Sequence, residues 1–547
     1  MGYQLAHYGN PIKLEGGQFE FVWTIGEAPR MVALQRMEKA RLRNDVNAIE
    51  EAIVFQKDAR TQGGFLGLED ARFLKVENLL AGPRYSEAAP LNDELAKLSL
   101  ANDYRPGRIV CLVNAAELSK KGGDSKTALI KAKEAVQLIE DYLTEAGGDQ
   151  GIRKRFRRAY ELLAELQLQA GQNEEAFATL ARLSQAESLM NLNAEQIASQ
   201  KPGLKEAVQK LEETRARTRA LSSVKQSQGK AGKSTDKVEG QIAGNRSEFY
   251  KALGDIRRQY PGYGSMLAVR PVNFARLQEF VPEDTAVIQI FPADDALFLF
   301  VLTSKELKIQ KVPVTRAKIE ELAQSARRGV LSTKFRSLRD RAGRVLMAAK
   351  KQESVEESLD AFVELHKYIV EPIEKDLEPY PVVAFIPSGS LMNVPLQALA
   401  RPAGESLDFL IERKQVVTLL KSTDLERLAR KPDTKPGGTL VVGNPDGTLP
   451  GAAVEAKSIG GLFPNSKVLI QDEATLEKVK AGAGVRFVHL ATHGILNSDD
   501  PNLSYLVLGQ GDKLDIGEIA GLDLNDVRMV TLSACETALG ENPSGQG

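Results

Sequence analysis

The stretches Phe487-Val-His-Leu-Ala-Thr-His-Gly494 and Val530-Thr-Leu-Ser-Ala-Cys-Glu-Thr-Ala538 decide the fold of this chain. Each is a short apolar run of the kind that forms a buried strand, and each leads to a reactive side chain. The first delivers His493 and the second delivers Cys535. An imidazole and a thiol at the ends of two buried strands are the base and the nucleophile that a cysteine protease needs.

Length and composition describe an ordinary globular protein. The 547 residues suggest three or four domains as a prior. The 72 basic and 73 acidic residues nearly cancel, which excludes recruitment of nucleic acid or an anionic membrane by net charge. The two cysteines, Cys111 and Cys535, lie in segments of different character, so we do not expect a disulfide between them. We expect a reducing, cytoplasmic setting instead. Neither a signal peptide nor an apolar run of membrane-spanning length is visible.

Residues 30–198 have a helical period of about 3.6 with glycine-containing breaks. Small residues stand twelve positions apart in two places, Ala116 with Ala128 and Ala164 with Ala176, where antiparallel helices must approach closely. This spacing resembles the tetratricopeptide repeat, although the 48 positions between units exceed the family's usual repeat, so the helices are extended. Residues 36–60 are a weaker unit. The alternative is a generic helical bundle.

Residues 199–265 read as long polar helices around a flexible linker rich in Ser, Gly and Lys. The linker contains Gly232-Lys233-Ser234, which matches the tail of a phosphate-binding loop. Ser227 stands where the loop needs a glycine, and no apolar strand precedes it. The sequence therefore favours a solvated linker, with a nucleotide-driven switch as the weaker alternative.

From residue 270 onward the pattern becomes α/β. Nine apolar runs of strand length alternate with helical connectors: 286–291, 296–302, 308–313, 382–386, 415–420, 439–443, 467–470, 486–491 and 529–533. Such alternation predicts a mostly parallel sheet with helices on its faces, behind a helical front half. In such sheets the chemistry lies at the carboxyl ends of strands, where His493 and Cys535 stand.

Five motifs in order then resemble the CHAT domain, a group of caspase-like, separase-related cysteine peptidases often preceded by tetratricopeptide repeats. They are Ile386-Pro-Ser-Gly-Ser-Leu-Met-Asn-Val-Pro-Leu-Gln-Ala-Leu399, Val442-Gly-Asn-Pro445, Leu449-Pro-Gly-Ala-Ala-Val-Glu455, His489-Leu-Ala-Thr-His-Gly494 and Leu532-Ser-Ala-Cys-Glu-Thr-Ala538. The resemblance covers residues 270–547. It implies a caspase-like fold and an endopeptidase that needs no cofactor, no metal and no third catalytic side chain.

Site residues follow from that resemblance. Cys535 is the expected nucleophile and His493 its base, and the backbone N–H groups of Gly494 and Cys535 are the expected oxyanion hole. A helix beginning at Glu536 would place its positive end beside the sulfur. His489 lies four residues before His493 on the predicted strand, on the same face but deeper in the sheet, so we expect it to be structural. A metal site at the two histidines lacks a third ligand other than Cys535.

Several other positions bear on the site. Some relatives carry an acidic residue two positions before the cysteine, to bind a basic side chain next to the cut bond. Ser533 stands there in this chain. Four carboxylates in nearby loops are candidates for an acidic pocket, and the sequence does not choose among them: Asp446, Glu455, Asp499 and Asp500. His7 and His366 have no functional constellation around them, and Cys111 is expected to pack inside a repeat helix.

The family pattern continues beyond residue 547, so the sequence predicts a peptidase domain that is incomplete at its C-terminus. An incomplete sheet would expose an apolar edge beside the strand 529–533 and lower stability or activity.

The sequence thus predicts an α plus α/β protein with repeats over 30–198, long helices over 199–265 and a CHAT domain over 270–547. We expect a cytoplasmic cysteine endopeptidase that cuts a protein substrate and is regulated by a protein bound to the repeats. No membrane partner is expected, and nucleic acid only indirectly, if the protein belongs to a defence complex. The alternative is a non-enzymatic scaffold with a degenerate or incomplete caspase-like module.

Overall fold

The computed structural model of the chain describes residues 10–13, 19–22, 36, 46–63, 68, 70–146, 153–191, 202–230, 234–260, 263, 267, 269–334, 348–404, 406–429, 437–495, 503–522, 524 and 526–533. Its α-helices are α1 Val46–Gly63, α2 Ala71–Ala81, α3 Tyr85–Ala101, α4 Arg105–Lys121, α5 Ser125–Ala146, α6 Arg153–Gln169, α7 Asn173–Asn191, α8 Pro202–Lys230, α9 Asp236–Gln259, α10 Phe274–Gln278, α11 Arg316–Lys334, α12 Ala348–Ile369, α13 Glu374–Leu377, α14 Leu410–Arg413, α15 Asp424–Ala429, α16 Pro450–Leu462, α17 Leu476–Gly482 and α18 Ile516–Ala520.

The strands are β1 Asn10–Lys13, β2 Phe19–Val22, β3 Thr285–Pro292, β4 Leu297–Leu302, β5 Leu307–Val312, β6 Val382–Ile386, β7 Ala400–Ala403, β8 Ser406–Phe409, β9 Gln415–Thr418, β10 Thr439–Gly443, β11 Ser466–Ile470, β12 Phe487–Ala491, β13 Gly494–Ile495, β14 Tyr505–Val507, β15 Lys513–Asp515 and β16 Met529–Leu532. Short 3₁₀ turns occupy Glu371–Ile373, Gly389–Asn393, Leu396–Ala398, Gln471–Glu473 and Gly509–Gly511.

The chain divides into two compact units. One comprises residues 1–142, 151–166 and 218–244, and the other residues 143–150, 167–217 and 245–547. The described elements of the first unit are helices and the hairpin β1–β2. The second holds the remaining strands and, as the sequence predicted, most of the strand pairing along its core is parallel.

Two turns of the helical region repeat one local geometry, 48 positions apart. In each, an amide donates to the carbonyl five residues earlier: Asp124 to Ser119 at 2.9 Å, and Gln172 to Gln167 at 2.8 Å. The glycine before that amide has a positive φ, 84° at Gly123 and 71° at Gly171. A side chain would be strained there, whereas glycine ends the helix freely. The repeat predicted from the sequence is confirmed at these turns.

Small residues in those helices are buried as the repeat pattern requires. Ala116, Ala128, Ala164 and Ala176 are all fully buried. Cys111 in α4 is buried and free, as expected. Burial raises the pKa of its thiol to about 12, so it stays protonated and packs as a small apolar group.

A five-stranded mixed sheet forms the first half of the α/β region, in the order β5-β4-β3-β6-β9. Strands β3, β6 and β9 run parallel, while β3, β4 and β5 form an antiparallel meander. All eight residues of β3 are buried, and its residues Ala286, Ile288 and Ile290 share one apolar core with helices α11 and α12. We refer to this as the mixed sheet.

A four-stranded parallel sheet forms the second half, in the order β11-β10-β12-β16. Leu440 and Val442 of β10 share one apolar core with Val488 and Leu490 of β12. The period of two sends the residues between them to the opposite face, where α16 packs on Gly443. A small antiparallel sheet, β13-β14-β15, follows β12 directly. We refer to the four-stranded layer as the parallel sheet.

All nine strands predicted from the sequence are present, but they build two sheets rather than the single sheet that the alternation suggested. The hairpin β7–β8 and the strands β13–β15 were not predicted, since they are only two to four residues long. Strand β16 lies at the edge of the parallel sheet among the described strands. Three of its apolar side chains, Met529, Val530 and Leu532, are about half exposed.

Candidate functional site

The candidate site lies at the carboxyl ends of β10 and β12, which are parallel neighbours with Gly443 opposite Ala491. Beyond the last pair, the amide of Asn444 donates to the carbonyl of Ala491 at 3.0 Å. The two chain segments that leave the sheet here therefore start side by side. One becomes the loop 444–449 and the other leads to His493.

The backbone around His493 is held by β14. The amide of Val507 donates to the carbonyl of His493 at 2.9 Å, and the hydroxyl of Thr492 donates to the carbonyl of Val507 at 2.6 Å. Gly494 then pairs with Leu506 in the small sheet and is buried. The imidazole itself is 37% exposed. His493 thus has a backbone held by hydrogen bonds and a side chain that solvent can reach.

Asn444 shapes the loop that faces His493. Its φ of 51° lies in the left-handed region, which asparagine tolerates better than most residues. Its side-chain oxygen accepts from the amide of Leu449 at 2.6 Å, and its carbonyl accepts from the amide of Gly447 at 3.2 Å. These bonds close the loop across its neck and fix the position of Asp446 and Thr448.

Thr448 lies between a carboxylate and the imidazole. Its hydroxyl oxygen is 2.8 Å from Nε2 of His493 and 2.9 Å from each carboxylate oxygen of Asp446. The amide of Thr448 also donates to Asp446 at 3.2 Å. The direct separation between His493 Nε2 and Asp446 Oδ2 is 3.8 Å. The structure therefore adds a carboxylate and a hydroxyl to the expected base.

Asp446 is ionised at neutral pH. Partial burial acts to raise the pKa of its carboxyl, but hydrogen bonds from Thr448 and the neighbouring charge of His493 outweigh that effect. The pKa of Asp446 consequently lies below its ordinary value. The position predicted as one wall of an acidic pocket is engaged with the imidazole and its hydroxyl neighbour.

His489 occupies the deeper position expected for it. It is buried in β12, and its Nε2 lies 2.9 Å from a carboxylate oxygen of Glu455 in α16. This pair ties the helix to the sheet below the loop 444–449. Glu455, another candidate for the acidic pocket, is thereby engaged with His489 rather than standing alone.

The remaining predicted positions fall into two groups. The amide of Ser533 donates to the carbonyl of Leu490 at 2.9 Å, so it prolongs the ladder between β12 and β16, and its side chain is exposed. Four sets of positions lie outside the described residues: Cys535, the predicted helix start Glu536, the pair Asp499 and Asp500, and His7. So do Gly232 and Lys233 of the phosphate-loop fragment.

The described part of the chain contains no group of three His, Cys, Asp or Glu side chains placed to hold a metal ion. The two histidines of the β12 segment have separate partners, Glu455 for His489 and Thr448 for His493.

Sequence reasoning missed Thr448 and the role of Asn444. Both belong to Asn444-Pro-Asp-Gly-Thr-Leu449, directly after an apolar strand. An Asp-Gly turn at the end of a strand was a usable signal, since it places polar side chains at the edge of a sheet where a neighbouring strand also ends. Three of the five motifs quoted from the sequence meet here: 442–445, 449–455 and 489–494.

A comparison with protein-family models gives one match over residues 360–547, to the CHAT domain. Residues 360–547 are thus the part of the chain that is similar to the CHAT domain. The match includes the loop 444–449, His493 and the β16 segment that leads to Cys535. The resemblance to the CHAT domain that the five motifs predicted for residues 270–547 is therefore confirmed over residues 360–547.

Among solved structures, two crystal structures of the Saccharomyces cerevisiae separase–securin complex match the chain. Each is 10% identical and covers 86% of this chain, with TM-scores of 0.26 and 0.27. The chain spans 54% of the length of those separase chains. Curated proteins give no match.

Helices long and apolar enough to cross a membrane were not found among the described residues.

Proposed function

We propose that the CHAT domain is a cysteine endopeptidase in which Cys535 is the nucleophile and His493 its base. One observation carries the proposal. In the pairing of β12 with β16, Met529 lies opposite Phe487 and Leu532 opposite Leu490, a constant offset of 42 positions. His493 and Cys535 are also 42 positions apart in the sequence.

That equality has a geometric meaning. Parallel strands in register end at the same edge of a sheet, so residues at equal distances beyond the strands begin from neighbouring positions. The amide of Ser533 still follows the ladder, at 2.9 Å from the carbonyl of Leu490. Cys535 stands two positions further along the chain. This register supports bringing a thiol to the imidazole.

The proposed reaction begins when His493 takes the proton from the Cys535 thiol. The thiolate attacks the carbonyl carbon of a peptide bond, and the oxyanion accepts hydrogen bonds from the N–H groups of Gly494 and Cys535. Collapse of the tetrahedral intermediate breaks the C–N bond, while the imidazolium returns its proton to the leaving amine. Water, deprotonated by His493, then cleaves the Cys535 thioester to a carboxylate and the free thiol.

The partners belong to the same proposal. The substrate is a protein, and the helical repeats predicted over residues 30–198 bind a protein regulator, because stacked helix pairs offer extended surfaces for polypeptides. Nucleic acid would act only through such a partner. A cytoplasmic, reducing setting would keep the nucleophilic thiol free.

Labelling with a peptide that carries a thiol-reactive warhead tests the catalytic pair. We expect modification at Cys535, identified by mass spectrometry, and no modification of the buried Cys111. The rate should fall about a hundredfold or more in His493→Ala, since general base catalysis contributes factors of that order. His366→Gln is the matched variant, because it replaces a buried imidazole of helix α12 rather than one of this segment and keeps a hydrogen-bond acceptor for Arg413.

The scaffold alternative gives a different result. A non-enzymatic module would react slowly at Cys535 and at the same rate in wild type and His493→Ala. That outcome would remove the endopeptidase proposal and leave the CHAT domain as an interaction module.

A further inference from the structure

The loop 444–449 does more than line the rim. It places the hydroxyl of Thr448 beside three polar atoms, two carboxylate oxygens of Asp446 and Nε2 of His493, all within 2.9 Å of Thr448 Oγ1. A hydroxyl has a single hydrogen to donate, so it can point either at Asp446 or at His493. Its direction determines which ring nitrogen of the neutral imidazole is protonated.

The carboxylate of Asp446 determines where the hydroxyl hydrogen of Thr448 points. An ionised carboxylate only accepts hydrogen bonds, so the short contacts between Asp446 and the hydroxyl oxygen are favourable only if the hydroxyl hydrogen points at Asp446. Thr448 Oγ1 then turns a lone pair toward His493. Nε2 at 2.8 Å must therefore donate, because two lone pairs would otherwise face each other.

We propose that Asp446 and Thr448 are positioning residues that hold His493 in the tautomer protonated at Nε2 and leave Nδ1 as the basic atom. This inference rests on the proposed function only for its use of Nδ1 in proton transfer. The tautomer itself follows from the described side chains alone.

The charges make the arrangement useful during proton transfer. When Nδ1 takes a proton from a thiol, the ring becomes an imidazolium and gains a positive charge. Asp446, whose Oδ2 lies 3.8 Å from Nε2, stabilises that charge. Thr448 remains an acceptor for the Nε2 proton in both states, so neither group has to move.

The two hydrogen bonds that Asn444 accepts within the loop 444–449 support the positioning role of Thr448. They fix the loop from Asn444 to Leu449 independently of His493, so the hydroxyl is presented to the ring rather than attracted by it. A partner held in place by other bonds selects one tautomer and one ring orientation, which a mobile side chain would not do.

Nitrogen NMR of the full chain labelled with ¹⁵N-histidine tests the tautomer directly. The chain has four histidines, and the signals of His493 are assigned by their loss in His493→Gln. In the wild-type protein at a pH where the ring is neutral, we expect a protonated Nε2 and an unprotonated Nδ1. Thr448→Val keeps the shape but removes the acceptor, and should give a mixture of tautomers. Thr448→Ser should restore the wild-type spectrum.

Asp446→Asn separates charge from shape. The amide side chain can still accept from the backbone of Thr448 and hold the turn, but it has no negative charge to stabilise the imidazolium. Ser458→Ala, which removes an exposed hydroxyl from helix α16 just after the loop, is the control and should leave the spectrum unchanged.

Kinetics give a second readout. Thr448→Val and Asp446→Asn should each lower kcat about ten- to a hundredfold with little change in KM, the size expected for partners that orient a functional imidazole. Thr448→Ser should recover most of that loss.

Three outcomes divide the possibilities. A wild-type ring protonated at Nδ1, or a spectrum unaffected by Thr448→Val, would overturn the inference even if the protein is a peptidase. If the protein shows the expected tautomer but has no peptidase activity, the proposed function is wrong, while the inference that Asp446 and Thr448 position His493 still holds. Activity that survives Thr448→Val unchanged would show that the hydroxyl plays no part in proton transfer.

Discussion

The mixed-sheet half and the parallel-sheet half each contain a histidine beside charged groups, and the two histidines differ in burial and in the sign of the neighbouring charge. In the mixed-sheet half, His366 of α12 is 3% exposed and its Nε2 lies 3.0 Å from the guanidinium of Arg413. In the parallel-sheet half, His493 is 37% exposed and stands beside the ionised Asp446. One ring is buried against a cation, and the other is open beside an anion.

The surroundings of His366 exclude a proton. Burial, and then the charge of Arg413, lower its pKa to about 4. Arg413 itself is held by Glu374 at 3.0 Å and Asp408 at 3.2 Å, so it cannot move aside easily. His366 is therefore a neutral acceptor that completes a packed ion-pair network.

The contrast shows what separates a structural histidine from a candidate base. Neither residue type nor the presence of a nearby charge distinguishes them. The sign of the neighbour and the access of solvent do, because together they decide whether the ring can gain and lose a proton during a reaction.

The largest expected effect is on peptidase activity, compared between variants of the two histidines. His493→Gln should lower kcat/KM for a peptide substrate about a thousandfold, because it removes the general base. His366→Gln keeps a hydrogen-bond acceptor for Arg413 and should stay within a factor of about three. Equal losses in the two variants, measured on protein shown to be folded by circular dichroism, would break the distinction between the two regions.

The second effect appears in stability against pH. The unfolded chain takes up a proton at His366 below about pH 6.5, whereas the folded chain does so only near pH 4. Stability contributed by the neutral ring is therefore complete above pH 6.5 and declines as the pH falls toward 4, by about 3 kcal/mol at most. Urea unfolding at several pH values measures it. His366→Gln should remove this part of the decline, and an identical pH profile in that variant would contradict the assignment.

The third effect concerns the packing that places the loop 444–449. A Cβ on Gly443 would lie 2.4 Å from the Cβ of Ala456 and 2.6 Å from the carbonyl oxygen of Ala452, so helix α16 would have to shift. Gly443→Ala should cost about 2 kcal/mol in the free energy of unfolding and reduce activity, because α16 begins where the loop ends.

Gly461→Ala is the matched control in the same helix. A Cβ there has nothing within 4 Å, so this change should be neutral or stabilise by up to about 1 kcal/mol through helix propensity. If both variants lose the same stability, close packing of α16 on β10 is not what Gly443 provides.

The smallest effect lies at the edge of the parallel sheet. Val530 of β16 is 46% exposed on a strand that ends the sheet among the described strands. Val530→Lys should change the free energy of unfolding by no more than about 0.5 kcal/mol and reduce aggregation seen by light scattering. A large loss of stability would show that this edge is covered.

Much of the α/β fold could be predicted from the sequence, because apolar runs of strand length are a local signal. The bounds of β6 and β10 match the predicted ones at both ends. The division into two sheets was not predictable, since pairing joins strands far apart in the chain. The pairing of β3 with β6, for example, joins residues about a hundred positions apart.

The candidate site was predictable only in its strand-end residues. His493 was found because it follows an apolar run. Thr448 was missed because 45 positions separate it from His493, and the loop that begins with the left-handed turn at Asn444 brings the two side chains together. No periodicity in the sequence encodes such a closure.

The most direct test of the central claim is the distance between the Cys535 sulfur and the His493 ring in a crystal structure of the chain with a peptide warhead bound. We expect the sulfur to lie about 3 to 4 Å from Nδ1, on the side of the ring opposite Thr448. A sulfur more than about 7 Å away, or one nearer to Nε2 than to Nδ1, would contradict the account.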